Sequence, residues 1–133
     1  MKYLGIDYGT KRVGTAVSDE EGRIAFPHAV LKNDKNLTDT LVALCRERGI
    51  SEIVIGDSRK LSGEPNTISP EIEKLKNVLA EETKLPTHYE PEFWSSAQAE
   101  RFQGKIDKLD ASAAAIILQS FLDKKHGRNN KHS

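Results

Sequence analysis

Five acids sit where segments of this chain end or begin, and their types and placement suit one kind of chemistry. Asp7 closes the run YLGID (residues 3–7), Asp57 closes SEIVIGD (51–57), and Glu92 closes LPTHYEPE (85–92). Asp110 opens LDASAAAIILQSFLDKK (109–125), with Asp107 three residues before it. In an open α/β sheet, sites gather beyond the carboxyl ends of the strands, so acids distant in the chain would meet at one edge. Carboxylates brought together repel and resist ionisation unless a cation neutralises them. The fitting cation is Mg²⁺ or Mn²⁺, a hard ion that takes oxygen ligands and retains water. Two such ions about 4 Å apart would activate a water and stabilise the leaving oxygen of a phosphodiester. Each acid also has a plainer, local reading. Asp7 would form a turn, Asp57 would start a loop, Asp107 would cap a helix, and Asp110 would be an ordinary first-turn acid favoured by the helix dipole.

The residues around the acids extend the same chemistry. In GTKR (9–12), Gly9 permits a tight turn, and Lys11 and Arg12 are placed to lean over the acids and hold a phosphate backbone. The alternative is a hairpin whose cations are merely solvated. Arg59, Lys60 and Arg101 would extend a basic rim, and Lys124, Lys125, Arg128 and Lys131 make a basic tail of minor weight. Ser95 and Ser96 open a helical pattern, where free backbone N–H groups attract phosphate or the serines act as ordinary caps. Phe93 and Trp94 read as packing rather than base stacking. The histidines, His28, His88, His126 and His132, have no metal-ligand spacing, and His88, near the Glu92 segment, reads as partly buried and structural.

These residues need elements to position them. YLGID, VGTAVSD (13–19) and IAFPHAVLK (24–32) read as an antiparallel meander turning at EEGR (20–23), and Pro27 points to an edge strand or a bulge. NLTDTLVALCRERG (36–49) places Leu37, Leu41, Leu44 and Cys45 on one helical face, with Gly49 as the stop. SEIVIGD has the unbroken apolar centre of a strand buried on both faces. After a polar loop (58–66), residues 69–83 form a helix with Ser69 as cap, Pro70 at its first position, and Ile72, Leu75, Val78 and Leu79 on one face. Residues 85–92 read as a short strand, 95–104 as a helix, and 109–125 as a helix whose small residues suit close packing. The result is an α/β fold: a mixed five-stranded sheet, three antiparallel strands then parallel ones, with helices on both faces. The expected domain is a single unit over 1–125, followed by a polar, frayed tail over 126–133.

The totals set bounds. At 133 residues, 37% hydrophobic and 30% charged, the chain makes one globular domain. Twenty basic and twenty acidic residues cancel, so net charge neither indicates nor excludes nucleic acid. The lone cysteine, Cys45, excludes an internal disulfide and a cysteine zinc site, and reads as a buried small hydrophobe. No apolar run approaches the ~20 residues of a membrane span, so a cytoplasmic protein is expected.

IDYGTKRVGTAVSD, the IVIG strand with a later SG, the E-x-x-S-S-A-Q-A-E-R segment at 92–101 and DASAAAIILQSFL together resemble the YqgF family, also called RuvX. The resemblance runs from Lys2 to about Lys125. It implies an RNase H-like fold and a metal-dependent nuclease that trims the 5′ end of precursor 16S ribosomal RNA. An older proposal for the family is cleavage of Holliday junctions. The opening D-Y-G-x-K-R-x-G motif carries over to Asp7, Gly9, Lys11, Arg12 and Gly14. The family's D-E-R-x-[ST]-[ST] motif places its glutamate at Glu92 and its hydroxyls at Ser95 and Ser96, and its last-helix aspartate falls at Asp110. The resemblance therefore implies Asp7, Glu92 and Asp110 as catalytic residues and as ligands for Mg²⁺ or Mn²⁺. The chain departs from the family at Pro91 and Phe93, where an aspartate and an arginine are usual. It departs again at Gly56, Asp57 and Ser58, where G-L-P is usual. Related RNase H-like junction resolvases carry an acid at that strand end and a D-x-x-D pair on the last helix, so Asp57 and Asp107 stand as reserve ligands.

Four functions compete on these grounds. The first is nuclease action on structured RNA, with precursor ribosomal RNA and ribosomal particles as partners. The second is junction resolution on DNA, which requires paired cuts and a dimer; the sequence leaves monomer and homodimer open. The third is nucleotide binding, since D-x-G-T resembles the phosphate loop of actin-like and sugar kinases, although those folds need two domains. The fourth is a non-catalytic RNA-binding assembly factor.

Overall fold

A computed structural model describes residues 1–9, 11–57, 70–91 and 110–130, and for Asp57, Pro91, Asp110 and residues 128–130 it describes the backbone alone. The elements in chain order are β1 (Lys2–Tyr8), β2 (Arg12–Ser18), β3 (Ala25–Lys32), α1 (Leu37–Arg48), β4 (Ile50–Asp57), α2 (Pro70–Thr83), β5 (Thr87–Pro91) and α3 (Asp110–Asn130). The strands make one sheet in the order β3-β2-β1-β4-β5, antiparallel across β1–β2 and β2–β3 and parallel across β1–β4 and β4–β5. That is the mixed five-stranded arrangement expected. The helix expected over 95–104, the Ser69 cap and the loop over 58–66 lie outside the described residues.

The two faces of the sheet carry separate cores. On one, Leu4, Ile6, Ile53 and Ile55 pack against Leu41, Leu44 and Cys45 of α1 and Ile72, Leu75 and Leu79 of α2. On the other, Tyr3, Ala16 and Val54 pack against Ala114, Ile117, Leu118 and Leu122 of α3. Strand alternation explains the division, since Ile53 and Ile55 face one way and Val54 the other, leaving β4 buried on both sides. Each large aliphatic side chain so buried contributes about 1.5–3 kcal/mol of transfer free energy.

β3 is an edge strand and carries a bulge, both of which accommodate Pro27. Its register against β2 shifts between the Thr15–Ala29 and Ala16–Pro27 pairs, leaving His28 as the extra residue. The buried Thr15 hydroxyl fits this irregularity: it donates to the Ala29 carbonyl at 2.7 Å and accepts from the Ala29 N–H at 3.1 Å. Between β2 and β3, Asp19 Oδ1 accepts the N–H groups of Arg23 and Ile24 at 2.8 and 3.1 Å. These bonds hold its carboxyl below the usual carboxylate range.

The helix expected over 109–125 runs from Asp110 to Asn130. The Gln119 side chain accepts from the Ala25 N–H at 2.9 Å and donates to the Arg23 carbonyl at 2.9 Å, and His126 Nε2 lies 2.9 Å from the Gly22 carbonyl oxygen. The second half of α3 is thereby tied to the β2–β3 turn.

Cys45 is buried in α1, as its place in the apolar pattern indicates, and desolvation pushes its thiol from 9.0 up to about 11. The unfolded chain therefore loses this proton first as pH rises. The thiol's contribution to stability is complete below about pH 9 and falls away between about pH 9 and 11. Denaturant midpoints at pH 8 and pH 10.5 test this: the wild type should lose more stability over that interval than Cys45→Ala, which has no thiol to ionise.

Candidate nuclease site

β1 delivers Asp7 to the carboxyl end of the sheet, at the face covered by α3. Gly5, two residues earlier on the same face, shows how closely that helix approaches. A Cβ built there would lie 2.7 Å from Leu118 Cβ and 3.1 Å from the Ala114 carbonyl oxygen. Asp110 begins α3 four residues before Ala114, which is about 6 Å of helix rise, and Asp7 lies two residues beyond Gly5, about 6.6 Å of strand rise. The helix runs antiparallel to β1, with Phe121 against Tyr3 at a ring separation of 5.9 Å. The end of β1 and the start of α3 therefore come to the same edge. Tight packing between Gly5 and Ala114 is what brings them there.

Glycines flank Asp7. Gly14 of β2 is its cross-strand partner, and on the other side Gly56 follows the Ile6–Ile55 pair by one residue, as Asp7 does. Neither neighbouring strand adds a side chain at that level, so the acid faces α3 between two bare backbones.

The turn after β1 returns the chain into β2 at Arg12, so the exposed Lys11 and Arg12 lie at the same edge as Asp7. Gly9 is required by this turn, since a Cβ there would meet the Arg12 carbonyl oxygen at 2.5 Å. Asn33, just past β3, braces the turn from outside. Its side-chain amide donates to the Gly9 carbonyl at 2.7 Å, and its backbone N–H donates to the Lys11 carbonyl at 3.0 Å. Sequence reasoning passed over Asn33. The available signal was the meander itself, which brings the end of the third strand beside the start of the second.

Asp57 ends β4 as expected. Glu92, Ser95, Ser96, Asp107, Arg59, Lys60, Arg101, Phe93, Trp94, Lys131 and His132 lie outside the described residues. Among the described residues, no three acids, histidines or cysteines converge as a metal-binding group. The donors the described residues bring to this edge, Asp7 and the position of Asp110, are carboxylate-bearing, the hard oxygen chemistry that Mg²⁺ and Mn²⁺ select.

His88 has the structural role expected of it. Its Nε2 lies 2.7 Å from Glu52 Oε1, and its ring stacks on Phe121 at 5.2 Å. The first two lysines of the basic tail are likewise engaged within the fold. Lys124 donates to Glu90 at 2.7 Å, and Lys125 lies over the Tyr3 ring at 5.3 Å. No helix among the described residues is long and apolar enough to cross a membrane.

Comparison with known proteins agrees with the fold. A protein of Thermus thermophilus, RuvC, superposes with a TM-score of 0.62 over 96% of this chain and 97% of its own, at 16% identity. The fowlpox virus resolvase, solved with Holliday junction DNA, superposes with a TM-score of 0.60 over 93% of this chain and 98% of its own, at 12% identity. At such identities the likeness shows the fold, which is that of the RNase H-like resolvases. Sequence relatives are closer. A protein of Nitratidesulfovibrio vulgaris named "Putative pre-16S rRNA nuclease" is 36% identical, the match covering 92% of this chain and 94% of the relative. A protein of the same name from Maridesulfovibrio salexigens is 34% identical, over 92% of this chain and 98% of the relative. The sequence model of RuvX, described as Holliday junction resolvase, matches residues 1–124. The Asp7 motif, the sheet order and these matches agree, and the chain belongs to the RuvX family of nucleases.

Proposed function

We propose that this protein is a metal-dependent nuclease of the cytoplasm that cleaves phosphodiester bonds at the 5′ end of precursor 16S ribosomal RNA during ribosome assembly. The observation that carries the reading is the meeting of the end of β1, the start of α3 and the Gly9–Arg12 turn at one edge of the sheet. The names of the curated relatives supply the substrate.

In this reading Asp7, Glu92 and Asp110 hold Mg²⁺ or Mn²⁺. When bound, the ion stabilises charge on the reacting phosphate and lowers the pKa of a water. The protein's own groups do the rest. Gly9 lets the turn approach the nucleic acid, and Lys11 and Arg12 neutralise and orient the phosphate backbone. Ser95 and Ser96 add contacts to a neighbouring phosphate. Pro91 and Phe93 stand where the family usually has an aspartate and an arginine. Phosphate binding therefore relies more heavily on the β1–β2 turn and on Arg59 or Arg101.

Lys11→Ala tests that reliance. It should weaken RNA binding several-fold and reduce the slope of log affinity against log salt by about 1, uniformly across sequences. Fluorescence anisotropy at four salt concentrations measures both; an unchanged slope would remove Lys11 from the interface. The substrate itself is tested by offering purified wild type a 5′-extended 16S precursor and a four-way DNA junction under the same Mg²⁺ conditions. Cutting of the precursor near the mature 5′ end is expected, and paired cuts in the junction alone would assign the protein to DNA.

A further inference from the structure

Glu90 is a charged residue almost wholly removed from solvent. It lies on β5, which pairs with β4 on one side, and it is 3% exposed. A carboxylate in that position is costly unless its charge and lone pairs are met. They are met from α3: the Ser120 hydroxyl donates to Glu90 Oε2 at 2.8 Å and the Lys124 ammonium donates to the same oxygen at 2.7 Å. Lys124 keeps 55% of its side chain exposed, so it spans from solvent to the buried acid.

The register gives this contact a further meaning. Ile6, Ile55 and Tyr89 are level across β1, β4 and β5, so Asp7 and Glu90, each one residue further on, are level too. Both face α3, with Gly56 between them, at roughly 10 Å by strand spacing. An apolar side chain at Glu90 would seal this face against water as well. Directional bonds to two residues of α3 do more, because they fix where the end of β5 sits along the helix. Two residues later the chain reaches Glu92, and the same helix begins at Asp110.

We infer that Glu90, clamped by Ser120 and Lys124, is a positioning residue for the carboxylate site, fixing the end of β5, from which the chain runs on to Glu92, against the helix that begins at Asp110. The inference rests on the reading of Glu92 and Asp110 as metal ligands. Glu90 is not itself a ligand. Its charge is answered by Lys124, which also keeps an unpaired negative charge away from the level of Asp7.

The test is Mn²⁺ binding by calorimetry to the full chain, beside the Mn²⁺ concentration for half-maximal cleavage and the melting temperature. Glu90→Ala should weaken Mn²⁺ binding at least ~10-fold and raise the half-maximal concentration in parallel, the loss typical when the support of a metal ligand is removed. Glu90→Gln keeps the volume and an acceptor oxygen for Ser120, and should stay within about threefold of wild type. Lys124→Met, altered on the solvent side, should weaken binding several-fold and decides the matter if Glu90→Ala does not fold. Wild-type Mn²⁺ affinity in Glu90→Ala or in a folded Lys124→Met, with only the melting temperature lowered, would overturn the inference. If wild type binds no Mn²⁺, or Asp7→Asn binds it equally well, the carboxylate site itself is misassigned and the clamp falls with it.

Discussion

Asp7→Asn should abolish cleavage, lowering the rate by at least ~10³-fold, while the protein still folds and binds RNA. The substitution changes almost no volume and removes one charged oxygen from the edge where β1 ends. An amide is a poor ligand for a hard divalent ion, so metal affinity should fall with the rate. Folding should survive because the packing that places residue 7 belongs to its neighbours: Ile6 is buried beneath α1 and α2, and Gly5 is pressed against α3. RNA binding should survive because Lys11 and Arg12 are untouched. Cleavage rate, anisotropy and melting temperature on one preparation separate these effects. A rate within tenfold of wild type would exclude Asp7 from the chemistry.

Gly5→Ala should destabilise the fold by about 1–3 kcal/mol or more, a drop of roughly 4–10 °C in melting temperature for a domain of this size. The added Cβ would lie 2.7 Å from Leu118 Cβ and 3.1 Å from a backbone oxygen. Neither is the far end of a flexible side chain, so α3 itself must move. The alanine also restricts the unfolded chain, which offsets only about 0.4–1 kcal/mol. Because α3 starts at Asp110, the displacement reaches the site, and cleavage should fall even at temperatures where the variant is fully folded. Thermal melts and cleavage at 20 °C measure the two effects. A variant as stable and active as wild type would show that the helix and sheet tolerate separation here.

The elements were legible where burial has a period. Ile53, Val54 and Ile55 announced a doubly buried strand, and Leu37, Leu41, Leu44 and Cys45 announced one face of a helix. Pro27 indicated an edge or a bulge because it has no N–H to donate, and β3 is an edge strand with a bulge beside that proline. Asp7 and Asp110 were legible as element boundaries, and so as candidates. Their meeting at one edge was expected from the strand order, but the close approach of α3 to Gly5 was not legible, because it is a single contact between distant residues. The same limit hid Asn33, Glu90 and the bond of His126 to Gly22. Each rests on one or two polar contacts spanning between 22 and 104 positions of sequence, with no repeat to reveal them. Glu90 stands in a short strand with no apolar period to mark it, and its burial follows from α3 lying over β5.

The most direct test of the central claim is the metal requirement of wild-type cleavage. Protein stripped of metal would be mixed with a 5′-extended 16S precursor in chelator, then given Mg²⁺ or Mn²⁺ in excess. No cutting in chelator and discrete cutting once either ion is added is the expected result. Cutting that continues in chelator, or none with either ion, would contradict a carboxylate-held metal nuclease at the edge where β1 and α3 meet.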